Sequence, residues 1–288
     1  MLRFITITML AAVMATSAYA KTSKHHSKHH SSVVHSTPRT INTVSTLAYD
    51  MNADVTLQGN GISVVRPMAS LTKLMTAMVA LDYNRSLTDH ISSRTREDLF
   101  KALLVRSNNE VAELFSRNYP GGRPAFIAAM NAKARSLGML NTNFDDPSGR
   151  IVTNVSTAED VGRMLMAASQ YPEIRRISTY KHLESTHVIK QRKKTRVVHD
   201  VQNNTNVMVL QAFPDVIVSK TGFTNPAGYC VGVVVEQGDR KYLVVVMGAR
   251  NKFDRFDHVR EIMHNNIMTN GHQRQHAQQF TKLAVIDE

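Results

Sequence analysis

Ser70-Leu71-Thr72-Lys73 opens an apolar run in which Leu71, Leu74, Met75 and Met78 recur at three- and four-residue steps, the spacing of a helix. Three residues along a helix bring the Ser70 hydroxyl and the Lys73 amine to one face. The helix N-terminus adds free backbone N–H groups and the positive end of its dipole. A hydroxyl attacks a carbonyl only when something takes its proton, and a lysine can do so when burial and a second cation lower its pKa. The chemistry this suggests is nucleophilic acyl transfer. Spacing alone does not single out the pair, because Ser178-Thr179-Tyr180-Lys181 repeats S-x-x-K and Ser116-Arg117-Asn118 repeats the S-x-N of Ser107-Asn108-Asn109. Order and setting do. Only Ser70 precedes an S-x-N, and Lys220-Thr221-Gly222 occurs once, at the end of the β-branched run Val216 to Ser219.

The ordered triple S-x-x-K, S-x-N, K-T-G resembles the signature of penicillin-recognising serine enzymes. Its flanks, Ala69 to Leu81, Met130 to Gly138 and Lys220 to Cys230, are similar to the low-molecular-mass penicillin-binding proteins, and within them to the short D-alanyl-D-alanine carboxypeptidase and endopeptidase branch. The likeness runs from about Ile41 to Ile267. It implies an α/β fold of the α+β kind, the penicillin-binding-protein and β-lactamase-like serine transpeptidase fold: an antiparallel sheet flanked by helices, with an all-helical insertion.

Carried over from that family, Ser70 is the acylated nucleophile, Lys73 its general base and Ser107 the hydroxyl passing a proton to the leaving amine. Asn109 holds the substrate amide. Lys220 attracts the terminal carboxylate and helps keep Lys73 neutral, Thr221 hydrogen-bonds that carboxylate, and Gly222 lets the substrate backbone lie along the strand edge. The backbone N–H groups of Ser70 and Phe223 form the oxyanion hole. The implied partners are peptidoglycan stem peptides, with β-lactam antibiotics as covalent inhibitors and no nucleic acid. No cofactor and no metal are expected.

Two departures from the family concern the rim. The link Asp82 to Thr95 is shorter than the strand-containing segment usual there, and in Asp146-Pro147-Ser148-Gly149-Arg150 an arginine stands where an apolar residue is usual. One alternative is a class A-like β-lactamase, which needs an E-x-x-L-N loop that Glu113, Glu159, Glu173 and Glu184 all lack. Another is a non-catalytic envelope-binding module, against which the intact motif set argues.

The rest of the chain supplies the scaffold. Hairpin strands are expected at Val44 to Tyr49 and Val55 to Leu57, an extended piece at Ile62 to Val65, and helices at Arg96 to Val105, Glu110 to Arg117 and Pro124 to Leu137. Ser156-x-x-Glu159 reads as a capping box for a helix through Ala168 that Pro172 ends. Strands follow at Val197-Val198, Val216 to Ser219, Tyr229 to Glu236 and Tyr242 to Met247, with Gln237-Gly238-Asp239 turning the last two into a hairpin, and a helix from Phe256 to Ile267 closes the fold. The sheet thus receives both ends of the chain.

The formal charge of +12 with 42% hydrophobic residues excludes a disordered chain, and no long apolar run occurs beyond the N-terminus. Residues 1–20, with Arg3 before the apolar run Phe4 to Val13 and Ala18-Tyr19-Ala20 at the end, read as a signal peptide for export to the periplasm, the mature chain starting at Lys21. Residues 21–40 read as a basic His/Ser/Lys-rich linker. His25, His26, His29 and His30 invite a metal reading, but nothing in reach orients them. The catalytic domain is expected over 41–268. In the tail, 269–288, Phe280, Leu283, Ala284 and Ile286 form no continuous apolar face, so no stable membrane anchor is expected. The basic run Lys190 to Arg196 fits a solvated hairpin better than a glycan grip. Cys230, the only cysteine, lies in an apolar run and reads as a buried strand residue.

Overall fold

The computed structural model describes residues 43–268 except 84, 192–193 and 212–214; the expected signal peptide, linker and C-terminal tail lie outside the described residues. Strands β1 (Ser45–Asp50) and β2 (Val55–Asn60) form the opening hairpin. A short β3 (Arg66–Pro67) leads into a 3-10 turn (Ala69–Leu71) and helix α1 (Thr72–Asp82). Next come the two-residue strands β4 (His90–Ile91) and β5 (Arg94–Thr95), then helices α2 (Arg96–Leu104), α3 (Asn109–Arg117) and α4 (Gly122–Ser136). Strand β6 (Val155–Ser156) precedes α5 (Ala158–Ala168) and α6 (Pro172–Ser178). The long hairpin β7 (His182–Gln191) and β8 (Lys194–Asn203) follows, then a single helical turn α7 (Val207–Leu210). The chain closes with β9 (Val216–Thr224), β10 (Gly228–Gln237), β11 (Arg240–Ala249) and α8 (Asp254–Met263).

The main sheet runs β2-β1-β11-β10-β9, all pairs antiparallel, so the first hairpin docks on the last strands. Period-two alternation divides its side chains between two cores. Val231, Val233, Val235, Val244 and Val246 meet Phe256, Val259 and Ile262 of α8. Leu47, Val218, Val234, Leu243 and Val245 face the helices on the other side. Helix α1 is buried over Thr72 to Ala80, which is why it is apolar nearly all round: neighbours surround it rather than solvent. Strand β9 is an edge of the sheet, leaving one side of its backbone free of a partner strand.

Several local expectations shift. Ile62 to Val65 is a turn, with Gly61 at φ +53° and its carbonyl accepting from Val64 N; the pairing strand is β3, against β6. Helix α5 is capped one residue later than Ser156, by the Thr157 hydroxyl accepting from Asp160 N at 3.1 Å, while Glu159 N is taken by Ile62 O. Pro172 ends one helix and also opens α6, where its missing N–H costs nothing at the first turn. The segment 82–95 carries its own small ribbon, His90 opposite Thr95 and Ile91 opposite Arg94. Val197 and Val198 belong to a ten-residue strand, and the described residues of the basic run, 190–191 and 194–196, pair with one another or with Ile189 at one end of the β7–β8 hairpin.

Candidate active site

Ser70 does not sit in the α-helix itself but on the 3-10 turn before it, and Ala69 takes φ +48°, a conformation unfavourable to a residue with a side chain. Such strain persists only where neighbours hold it. Here they are the loop Asp146 to Gly149 and strand β9. A Cβ on Gly149, at φ +79°, would lie 1.9 Å from Ala69 O. A Cβ on Gly222 would lie 2.9 Å from Ser70 N and 3.1 Å from Met68 O. Both glycines are therefore required by backbone packed on backbone. For Gly222 the fit of the serine turn against the strand is a second steric reason, beside the expected one of access for substrate.

The loop is fastened by one carboxylate. Asp146 accepts from Ser148 N, from Ser148 Oγ at 2.8 Å, from Gly149 N at 2.7 Å and from Ile151 N at 2.6 Å. Asn154 ties it to α1 by donating to Thr72 Oγ1 at 3.2 Å and to Asp146 O at 2.8 Å, and Thr76 Oγ1 donates to Pro147 O. The result is that Ser148 O is aimed at the lysine.

Lys73 Nζ lies 2.8 Å from Ser70 Oγ, 2.7 Å from Asn109 Oδ1 and 2.7 Å from Ser148 O. It is wholly buried, and burial pushes its pKa down to about 7. The carboxylates of Asp146 and Glu110 oppose that shift and Arg150 adds to it. Burial, the first of the two causes expected from the sequence, is the main one, and the second cation in reach is Arg150. The contacts then fix the direction of the amine. Two acceptors that carry no hydrogen, the Asn109 and Ser148 carbonyls, take two N–H groups, and the lone pair of the neutral amine is left for the Ser70 hydroxyl.

Asn109 reaches Lys73 because Asn108, not Asn109, caps α3, accepting from Val111 N at 2.9 Å. Ser107 precedes that cap at φ +59° and lines the same cleft as Ser70. The cleft, about 580 Å³, is also bounded by Thr221, Gly222 and Phe223 of β9. Thr221 Oγ1 donates to Thr205 Oγ1 at 2.7 Å. Lys220 is buried and donates to Thr221 O at 2.8 Å; burial first, then Lys73 and Arg255, push its pKa far down.

Arg255 is the residue the sequence reading missed. It projects from α8 into the cleft and is 5% exposed, with Nη1 donating to Gly222 O at 3.2 Å and Cys230 O at 3.3 Å. Its guanidinium lies over Phe256 and Tyr229 at 4.6 and 5.5 Å. Burial lowers its pKa to about 10, so it stays charged at neutral pH, and among the described residues no carboxylate forms an ion pair with it. No local pattern marks it, because its partners lie 25 and 33 residues away. Cys230, paired opposite Gly222 in β10, is buried and pushed up to about 11, which makes it inert as a nucleophile.

Comparisons with known proteins place the chain in a family. The family model described as D-alanyl-D-alanine carboxypeptidase matches residues 82–251, more than half of the 288-residue chain. The chain belongs to the D-alanyl-D-alanine carboxypeptidase family. The family match begins after Lys73, so the Ser70 turn is joined to it by the contacts above. A D-alanyl-D-alanine endopeptidase of Escherichia coli (strain K12) is 35% identical over 86% of this chain and 82% of its own length. One from Pseudomonas aeruginosa is 35% identical over 74% of this chain and 73% of its own. Among solved structures, the Streptomyces K15 DD-transpeptidase is 25% identical with a TM-score of 0.68, covering 81% of this chain and 99% of that one. Penicillin-binding protein D2 of Listeria monocytogenes, in its cefotaxime-bound form, is 25% identical with a TM-score of 0.64 over 76% and 95%. The fold expected from the motifs is the one found, and as a member of this family the chain is a serine-type peptidase.

Proposed function

We propose that this chain is a periplasmic serine D,D-peptidase that hydrolyses D-alanyl bonds of peptidoglycan stem peptides, favours the cross-links between them, and is acylated by β-lactams at Ser70. The observation that carries the reading is the Lys73 amine, its pKa lowered to about 7, with two N–H groups consumed by carbonyls and its third position on Ser70 Oγ.

The reaction follows from that arrangement. Lys73 Nζ takes the Ser70 proton as Oγ forms its bond to the carbonyl carbon, and the carbonyl π pair moves onto oxygen. The N–H groups of Ser70 and Phe223 stabilise that oxyanion, and the edge position of β9 and its close approach to Ser70 N support their pairing. On collapse, the C–N bond breaks and its electron pair leaves with the amine, which receives the proton from Lys73 by way of the Ser107 hydroxyl. Water then attacks the ester with Lys73 again as base, releasing the acid and Ser70. Asn109 spends its Oδ1 on Lys73, which leaves its Nδ2 donors for the acyl substrate's carbonyl. Thr221 and Arg255, which line the cleft, suit a leaving-group carboxylate, beside Lys220, whose pKa is lowered by burial first and then by Lys73 and Arg255.

Incubation of the protein with a fluorescent penicillin tests the core of this: a covalent label on wild type and none on Ser70→Ala is expected, and equal label on both refutes it. The label should persist, since no glutamate-held water loop is present; rapid nitrocefin turnover without a trapped adduct would mean a β-lactamase instead. Bond preference is read by chromatography of purified cross-linked dimers and pentapeptide monomers after digestion. Loss of D-alanine from pentapeptide while dimers persist would contradict the preference for cross-links. Recovery in an osmotic-shock fraction, without detergent, is the expected result for the location.

A further inference from the structure

A second cleft, about 630 Å³, opens beside the first on the other side of the β8 base, and Arg106 lines both. Consecutive residues of β8 mark the division: Asn203 borders the Ser70 cleft and Gln202 the second. Its floor comes from α2 and the end of β5, with Arg94, Asp98 and Lys101, and its far wall from β7, with His182 and Glu184.

The charges there do not cancel. Asp98 is taken by the Thr95 hydroxyl at 2.8 Å and by Lys101 at 3.3 Å. Glu97 beside it holds Lys101 and Arg176, and Glu184 faces His182 at 3.4 Å. Arg94 and Arg106 are left without an ion pair among the described residues. Arg106 is steadied by donating to Asn203 O at 2.7 Å, directly before Ser107. Two unpaired guanidinium groups in a cleft that shares a wall with the Ser70 cleft form a receptor for carboxylates, which a planar fork binds through paired hydrogen bonds.

We propose that Arg94 and Arg106 form a cationic subsite that binds free carboxylates of the stem peptide while its D-alanyl bond lies at Ser70. This rests on the peptidase reading above. Stem peptides carry such carboxylates at their γ-linked D-glutamate and at diaminopimelate, so the subsite separates an acidic stem from an amidated one.

The test uses the full chain and three probes: L-Ala-γ-D-Glu-diaminopimelyl-D-Ala-D-Ala, the same peptide with its internal carboxylates amidated, and diacetyl-L-Lys-D-Ala-D-Ala, whose one carboxylate is its C-terminus. Wild type should show a KM about three- to tenfold lower for the acidic peptide than for the amidated one, with similar kcat. Arg94→Gln, an exposed position, should remove that difference by raising KM for the acidic peptide alone, Arg94→Lys should restore part of it, and Arg94→Glu should invert it. An unchanged preference in Arg94→Gln, or an equal loss on all three probes, overturns the subsite. Wild type that cleaves the three probes with equal KM also sinks the subsite while the peptidase reading stands; wild type that cleaves none of them overturns both.

Discussion

Because burial holds Lys73 near 7, its protonation should be visible in kinetics. The neutral amine is the base, so the rate constant for acylation by a penicillin should fall tenfold per unit below pH 7 and level off above it, measured by stopped-flow fluorescence. The same shift has the opposite face in stability. A lysine whose folded pKa lies below its unfolded value costs stability fully below about 7, and that cost fades as pH rises toward 10.5, where the unfolded chain also loses its proton. The difference in Tm between wild type and Lys73→Met should therefore shrink from pH 7 to pH 10. Gly222 gives a steric counterpart. The atoms a new Cβ would strike are backbone, Ser70 N and Met68 O, and cannot swing aside. Gly222→Ala should lower acylation at least tenfold with a stability loss of about 1–3 kcal/mol, and an unperturbed acylation rate would show that the serine turn tolerates displacement.

At the scale of elements, the loop between α4 and β6 matters more than its lack of regular structure suggests. Asp146 satisfies three backbone N–H groups, and through them holds Ser148 O on Lys73 and Gly149 on the serine turn. Asp146→Ala leaves those donors buried without partners, which should cost about 2–5 kcal/mol in denaturant unfolding and abolish most acylation. Helix α5 separates stability from function. Thr157→Ala removes only its cap, and about 1 kcal/mol with it, while penicillin labelling should stay at the wild-type rate. Were labelling to fall along with stability, the α5 end of the fold would be coupled to the Ser70 turn more tightly than its contacts indicate.

For the molecule as a whole, the formal charge of +12 acts over distances that no single contact covers. Retention of the protein on isolated sacculi should weaken steadily between low and physiological salt and be the same for Ser70→Ala, because it depends on charge and not on acylation. Retention that resists salt but is lost in Ser70→Ala would instead mean that the active site does the holding.

The chain by itself determined the strands of the main sheet, the longer helices and their order. Val244 and its alternating neighbours in β11, the Gln237-Gly238-Asp239 turn and the i, i+3, i+4 apolar steps of α1 are all decided by contacts within a few residues, so their period is visible in one dimension. The S-x-x-K, S-x-N and K-T-G motifs were legible through their order and their resemblance to a known family, and the structure brings Ser70, Lys73, Ser107, Asn109, Lys220, Thr221, Gly222 and Phe223 to one corner between β9 and the helices. Element ends were less legible, as at α5, where Ser156 and Thr157 both offer hydroxyls, but Ser156 lies in β6 with its hydroxyl on Thr142 Oγ1, and Ile62 O takes Glu159 N. Tertiary structure alone decided the electrostatics. Ser148 O meets Lys73 across 75 residues of sequence, Arg255 meets Gly222 across 33, and Gly149 fits under Ala69 because two backbones are pressed together. A local pattern records what a residue prefers; the pKa of a lysine depends on how much water the rest of the fold takes away from it.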